Sequence, residues 1–334
     1  IWPHSWEISW ATAPNNNTPG EPLELDGVYI DRYACSNETC GIIGDNGFDY
    51  IYADRPDGIG TFVHEFSHVM GLPDLYSTGE YQSYREVPFT PENFSVMDYG
   101  PYNNDGMTPP NYSAYERYAL DWMDPVSMSP GNRNLENLGS TNQAFIVKTE
   151  KQNEFYLFEN RQQTGWDKYI PGHGMLVWHV DYDQQVFYNN KVNNTKDHQY
   201  VDLIEADNIQ DYPIGVDGGY YEYPESTRTG DPFPGSKNVR SFGSKTTPAL
   251  VSWSKKSLGV ELTDIKESNG VISFLATING NSSVTEISTD VVSGEIYDIK
   301  GVKVGSVNDG NLPSLDPGIY IIRSGNNIKK VTIR

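Results

Sequence analysis

The chain has 334 residues, of which 45 are acidic and 24 are basic, so its formal net charge at pH 7 is −21. A charge of this sign and size argues against a nucleic-acid partner, because a polyanion would be repelled rather than attracted. Hydrophobic residues make up 37% of the chain, enough for a packed core, but no stretch of about eighteen apolar residues occurs, so we expect no membrane span.

The first feature along the chain is a pair of cysteines, Cys35 and Cys40, the only two in the sequence. A small local disulfide formed in an oxidising compartment is one interpretation of the pair, and two free thiols are the other. Zinc held by these cysteines alone is not expected, because a closed structural site needs four ligands. The chain starts at Ile1 without a Met, so we expect any leader to have been removed or left out.

Apolar residues at helical spacing predict an amphipathic helix across residues 59–70. Within it, His64 and His68 are four positions apart, so their imidazoles lie on one face and can bind one zinc ion. Glu65 lies one step round the helix, where it can accept a proton from a water molecule at the metal without being a ligand. The apolar positions are Ile59, Phe62, Val63, Phe66, Val69 and Met70.

The residues after the second histidine extend the pattern to HExxHxxGxxD. Gly71 can adopt a positive φ and turn the chain sharply, and Pro73 prevents the helix from continuing. We therefore predict that Asp74 returns to the metal as its third ligand. A fourth position is then left for water or substrate, as a catalytic zinc site requires.

The segment Ser-Val-Met-Asp-Tyr-Gly at residues 95–100 resembles the Met-turn of the metzincin clan. This resemblance implies that Met97 forms an apolar floor beneath the zinc ligands. It also implies that Tyr99 lies near the metal, where it can donate a hydrogen bond to a developing oxyanion.

A second helix and then a series of strands are predicted further along the chain. Ser113 and Glu116 form a capping-box pattern that predicts a helix over 113–123. Short alternating segments separated by turn residues then predict a β-sandwich-like region. The predicted strands are residues 144–149, 154–160, 174–181, 200–206, 260–266 and 270–277, followed by 294–301, 317–323 and 329–334 in a separate β unit.

These observations predict an α+β chain with three parts. Residues 1–132 form a metzincin-like zinc metallopeptidase domain, residues 133–280 a β-sandwich-like domain, and residues 284–334 a small C-terminal β module. The linker into the last part falls at about 279–283.

Seven segments together resemble the immune-inhibitor-A-like metallopeptidases, and they span roughly residues 1–278. The resemblance implies a secreted bacterial endopeptidase, or one at the cell surface or in the periplasm, that is made as a precursor with its own propeptide. Such catalytic domains carry further sheet and a helix upstream, which this chain is expected to lack. The seven segments are GIGTFVHEFSH at 58–68, GLPDLY at 71–76, and residues 1–4, 33–35, 113–116, 174–181 and 230–235.

The C-terminal module at 284–334 has a resemblance of its own. It resembles the sorting or anchoring modules of exported Bacteroidetes-type proteins.

The predicted reaction is hydrolysis of peptide bonds in proteins, with zinc as the cofactor and Glu65 as the general base. An alternative keeps the fold without the catalysis, as an exported glycan- or protein-binding module with a structural zinc site. Glu65 distinguishes the two, because a structural site has no need of a general base at that position.

Two further kinds of site remain open. Calcium is a possible second cofactor, although neither of its candidate segments follows an EF-hand pattern. The remaining histidines are expected to be hydrogen-bonded structural residues, with a second metal site as the alternative for those in the strand region. The calcium candidates are Asp202, Glu205, Asp207 and Asn208, and residues 103–106; the histidines are His4, His173, His179 and His198.

Overall fold

The computed structural model describes residues 3–15, 17–43, 50–81, 87–210, 214–215, 221–222, 228–278, 293–298, 302–308, 313, 315, 318–325 and 327–333. Helices and sheets are both present, with strand the commoner, so the α+β class is confirmed at that level. Contacts divide the chain into two compact units, Ile1–Thr277 and Ile278–Arg334. None of the helices in the described part is both long and apolar enough to cross a membrane.

The helices are short except for the one that carries the histidine pair. They are α1 (Ile8–Ala11), α2 (Ile59–Met70), α3 (Ala114–Ala119), α4 (Leu138–Thr141) and α5 (Gln184–Tyr188), with 3₁₀ turns at Glu92–Phe94, Gly100–Tyr102 and Gly165–Tyr169. The strands of the first unit are β1 (His4–Glu7), β2 (Leu23–Leu25), β3 (Val28–Ile30), β4 (Arg32–Cys35), β5 (Thr39–Ile43), β6 (Tyr50–Pro56), β7 (Val126–Ser127), β8 (Gly131–Leu135), β9 (Ala144–Lys148), β10 (Glu154–Arg161), β11 (Gly174–Asp181), β12 (Val201–Leu203), β13 (Ile214–Gly215), β14 (Tyr221–Glu222), β15 (Val260–Ser268) and β16 (Val271–Ile278).

Helix α2 forms where the periodicity predicts it, but half of its six apolar positions are exposed rather than buried. Ile59, Phe62 and Phe66 are each more than 40% exposed, whereas Gly60 and Ser67 are buried. The reason is a close approach at the start of the helix: a Cβ on Gly60 would lie 1.9 Å from the Pro101 carbonyl oxygen. The helix therefore packs closely at Gly60 and Ser67, with Val63 partly buried against the core, and three large apolar side chains remain exposed.

Helix α3 begins with the predicted capping box. The Ser113 hydroxyl accepts from the Glu116 N–H, and the Glu116 carboxylate accepts from the Ser113 N–H. The helix ends at Ala119, earlier than the predicted 123, and Asp121 has a positive φ of 56°. Trp122, which the predicted helix would have included, therefore lies beyond its end.

A five-stranded sheet with the order β12-β11-β10-β9-β7 forms the centre of the first unit, beside a three-stranded sheet β15-β16-β8. Within the five-stranded sheet, pairing is antiparallel except between β7 and β9. Residues from both sides of position 132 share one core, so the predicted boundary there falls inside a single compact unit. That core includes Leu72, Leu75, Val96, Met97, Tyr115, Leu157, Trp178 and Val201.

The second unit is a four-stranded antiparallel sheet with the order β18-β17-β19-β20. Its strands are β17 (Ser293–Asp298), β18 (Lys303–Asn308), β19 (Gly318–Ser324) and β20 (Asn327–Ile333). Ile296, Val307, Tyr320 and Ile322 form its own small buried cluster. The predicted linker at 279–283 lies outside the described residues, and the sorting or anchoring role of this part stays a prediction.

The predicted Cys35–Cys40 disulfide stays a prediction, because the Cys40 side chain lies outside the described residues. The Cys35 sulfur lies 3.3 Å from Nδ1 of His4. The same imidazole reaches the Tyr33 hydroxyl through Nε2, at 3.0 Å. His4 therefore joins strands β1 and β4, in agreement with the structural role expected of it.

Candidate metal centre

The end of helix α2 turns the chain as the sequence predicts. Gly71 has a φ of 111°, and its N–H lies 2.9 Å from the His68 carbonyl and 3.1 Å from that of Ser67. The Leu72 N–H also reaches the Ser67 carbonyl, at 3.1 Å. This left-handed helix end reverses the backbone and brings Asp74 back to the histidine pair.

Three side-chain atoms converge on one point at this reversal. Asp74 Oδ1 lies 3.1 Å from Nε2 of His64 and 3.1 Å from Nε2 of His68. The two Nε2 atoms are 3.2 Å apart. Zinc bonds of about 2.0–2.1 Å at tetrahedral angles place ligand atoms about 3.3 Å apart, so the three atoms fit one tetrahedral ion. The side chains of His64, His68 and Asp74 are 11%, 19% and 6% exposed.

Hydrogen bonds at the far side of each ring leave both Nε2 atoms available as ligands. His64 Nδ1 lies 2.9 Å from the Val96 carbonyl, and His68 Nδ1 lies 2.8 Å from the Leu72 carbonyl. A carbonyl only accepts, so each Nδ1 carries the proton and each Nε2 presents a lone pair. While both histidines are neutral in this tautomer, Asp74 Oδ1 is buried without a hydrogen-bond donor. Three acceptors this close repel one another unless a cation or a proton lies between them, and the residues therefore fit a metal ion.

Protonation is the alternative to a metal at this point. Burial on its own would raise the pKa of the Asp74 carboxyl, but interactions with His64 and His68 hold that pKa well below its usual range. Burial lowers the pKa of His64, but the hydrogen bond and charge of Asp74 outweigh burial and raise it. Protons and a metal ion therefore compete for the same three atoms.

The turn that contains Met97 holds two of the ligands by its backbone. Its Val96 carbonyl accepts from His64, and its Met97 carbonyl accepts from the Leu75 N–H at 2.7 Å, next to Asp74. Met97 itself is fully buried in the core of the first unit. The turn is fixed in place by Glu116, whose Oε1 accepts from the Ser95 hydroxyl at 2.6 Å and from the Met97 N–H at 3.2 Å.

The two predicted catalytic residues, Glu65 and Tyr99, each interact with Tyr102. Burial raises the pKa of the Tyr102 phenol, and the negative charge of Glu65 raises it further. Tyr99 is 44% exposed and its ring lies 6.1 Å from that of Tyr102, with Asp98 as its main charged neighbour. Its role as an oxyanion donor stays a prediction. A tyrosine that the sequence did not single out, Tyr76, stacks its ring at 6.2 Å and 21° on that of His64.

A cavity of about 840 Å³ adjoins the centre, with His68 in its wall. Aromatic side chains from α3, α5 and strand β10 form much of its remaining lining, including Tyr118, Phe155 and Phe187. Asn190, which contacts Asp74, also borders the cavity. Glu65 is not among the residues that line this cavity.

The other predicted ligand groups do not assemble into a comparable site. Within the described ranges, His64, His68 and Asp74 form the one group in which three His, Cys, Asp or Glu atoms converge. Asp207 Oδ1 accepts from the Ile209 N–H, and Asn103 exchanges hydrogen bonds with Asn93. Calcium binding stays a prediction.

The histidines of the strand region are hydrogen-bonded to carboxylates, in agreement with the structural expectation. His173 pairs with Glu267 at 3.0 Å. His179 pairs with Glu154 at 2.8 Å and His198 with Asp181 at 2.9 Å. Both of the latter rings also stack on Trp253.

In comparisons with known proteins, no protein-family model matches the chain, and no curated protein matches it in sequence. The interpretation of the site therefore depends on its own geometry and on the motifs of the sequence.

Proposed function

We propose that the chain is a zinc-dependent endopeptidase. The convergence of His64, His68 and Asp74 carries this proposal, because two nitrogen ligands and one carboxylate oxygen leave one tetrahedral position open. A closed structural site would use four protein ligands, and these three are the ones that converge in the described part of the chain.

The protein residues have separate tasks in the proposed hydrolysis. A bound zinc ion supplies Lewis acidity, which polarises the scissile carbonyl and makes water more acidic. Glu65 accepts a proton from the attacking water and returns it to the leaving amine. Tyr99 is the predicted donor to the oxyanion. Secretion by a bacterium and processing from a precursor stay predictions that come from the resemblance to immune-inhibitor-A-like metallopeptidases.

The test measures zinc content and casein cleavage for the wild type, Glu65→Gln and Glu136→Gln. Glu136 is an exposed glutamate of the same unit and serves as the matched control. We expect one zinc in all three proteins, with turnover lowered about 10²- to 10⁴-fold in Glu65→Gln alone.

Other outcomes separate the alternatives. Zinc without proteolysis in the wild type would support the binding module with a structural zinc. Full activity of Glu65→Gln would contradict the role of general base. A wild-type protein without zinc would remove the basis of both functions.

A further inference from the structure

The ligand Asp74 is held by a segment more than a hundred residues further along the chain. The Asp74 N–H donates to Oδ1 of Asn190 at 2.7 Å, and Nδ2 of Asn190 donates to Asp74 Oδ2 at 2.6 Å. One amide side chain thus binds both the backbone and the carboxylate of the same residue. Asn190 follows helix α5 and has a φ of 53°, a conformation that asparagine tolerates better than most residues.

Two further asparagines of this segment hold the residues that follow Asp74. Asn193 Nδ2 donates to the carbonyls of Leu75 and Val201, each at 2.8 Å. Asn194 Oδ1 accepts from the Thr78 N–H at 2.8 Å. Asn190, Asn193 and Asn194 together form an asparagine clamp, which ties the Asp74 loop to the start of strand β12.

The two oxygens of Asp74 are given different partners by this arrangement. Oδ2 is occupied by the Asn190 amide, while Oδ1 faces the two imidazole nitrogens at 3.1 Å. Rotation of the carboxylate to present both oxygens to a metal would break the bond to Asn190. The amide is a neutral donor, so it orients the carboxylate and leaves its negative charge in place.

We propose that Asn190 is a positioning residue of the metal centre, which holds Asp74 as a ligand through Oδ1 alone. Asn193 and Asn194 fix the loop around it and make no contact with the carboxylate. The inference rests on the metal site of the proposed function, but not on peptidase activity.

The test compares zinc affinity, measured by competition with a chelator, in the wild type, Asn190→Asp, Asn190→Ala and Asn194→Ala. Asn190→Asp keeps the size of the side chain but replaces the donor by a second carboxylate. We expect both Asn190 variants to bind zinc 10- to 100-fold more weakly, as for other residues that orient a metal ligand. Asn194→Ala, the matched control from the same clamp, should stay within about threefold of the wild type, because its contacts do not reach the carboxylate.

Two readouts separate positioning from a general loss of structure. The unfolding midpoint of the metal-free protein should fall further in Asn190→Ala than in Asn194→Ala, because alanine tolerates the positive φ of residue 190 less well than asparagine does. Asn190→Asp keeps a side chain that tolerates this backbone, so a loss of zinc affinity in that variant reports on positioning. The visible spectrum of bound Co²⁺ should weaken in the Asn190 variants, because a second carboxylate oxygen raises the coordination number. If an Asn190 variant fails to fold, Asn190→Ser is measured in its place by the same criteria.

The inference would be overturned if the Asn190 variants kept the zinc affinity and the Co²⁺ spectrum of the wild type. It would also be overturned if Asn194→Ala lost as much zinc affinity as the Asn190 variants do. A chain that binds zinc in an Asn190-dependent way but cleaves no protein would refute the proposed function and support this inference.

Discussion

The buried carboxylate of Glu116 joins helix α3 to the turn beside the metal ligands, and its removal is expected to weaken both. It is fully buried and accepts three hydrogen bonds, from the Ser95 hydroxyl, the Met97 N–H and the Ser113 N–H. The Met97 N–H keeps the Ser95 hydroxyl as a second acceptor at 3.0 Å, so two buried donors lose their acceptor. Each costs about 1–3 kcal/mol, so Glu116→Ala should lower the free energy of unfolding by about 2–6 kcal/mol. Ser113→Ala removes only the helix cap and should cost about 1 kcal/mol.

The two substitutions should differ in metal affinity as well as in stability. Without Glu116 the turn is free to move the Val96 carbonyl away from His64, whereas Ser113→Ala leaves the turn intact. Urea unfolding in the presence of a chelator measures the first effect, and zinc competition measures the second. We expect Glu116→Ala to bind zinc at least tenfold more weakly, and Ser113→Ala to bind it normally. Equal stability and equal zinc affinity in the two variants would refute the reasoning.

Two predictions concern pH. Burial raises the pKa of Asp98 from an ordinary 3.8 to about 6, so the folded state holds this proton more strongly than the unfolded state does. The stability that the proton contributes at pH 4, about 2 kcal/mol, is lost as pH rises through about 6. Asp98→Asn should abolish this difference between urea titrations at pH 4 and pH 8, and an unchanged difference would contradict the assignment. Zinc affinity should fall as the pH is lowered through the raised pKa of His64, by about tenfold per pH unit for each histidine proton displaced. A chelator competition between pH 8 and pH 5.5 measures this fall, and constant affinity over that range would count against histidine ligands.

Local rules account for the part of the site that the sequence could predict. The four-residue spacing of His64 and His68 fixes their common face wherever a helix forms, and Gly71 is a residue that readily takes the φ of 111° found there. The capping box at Ser113 is equally local and is confirmed. The same kind of reasoning locates the longer strands, such as β11 over Gly174–Asp181, because they are rich in apolar residues.

The features that the sequence could not predict depend on distant contacts. Asn190 lies in a polar stretch after α5, and nothing in its neighbourhood indicates a partner at Asp74. Glu116 was identifiable as a helix cap, but its bonds to Ser95 and Met97 require the turn to pack on α3. Strand β8 was missed because it is largely polar and only Leu135 is buried in it. Periodicity located α2 but could not show that Gly60 would set its packing face.

We expect metal binding and folding to be coupled in this arrangement, because the three candidate ligand atoms converge only after distant segments have packed. Glu116 holds the turn beside His64, and Asn190 holds Asp74 from beyond the central strands. An unfolded chain lacks both constraints, so we expect zinc to bind the folded state preferentially and to stabilise it by about 2.7 kcal/mol at a concentration 100 times its Kd. A residue that only fills space would change the stability of the metal-free and zinc-bound proteins equally. A residue that positions a ligand reduces the difference between the two, and this difference distinguishes Asn190 and Glu116 from ordinary core residues.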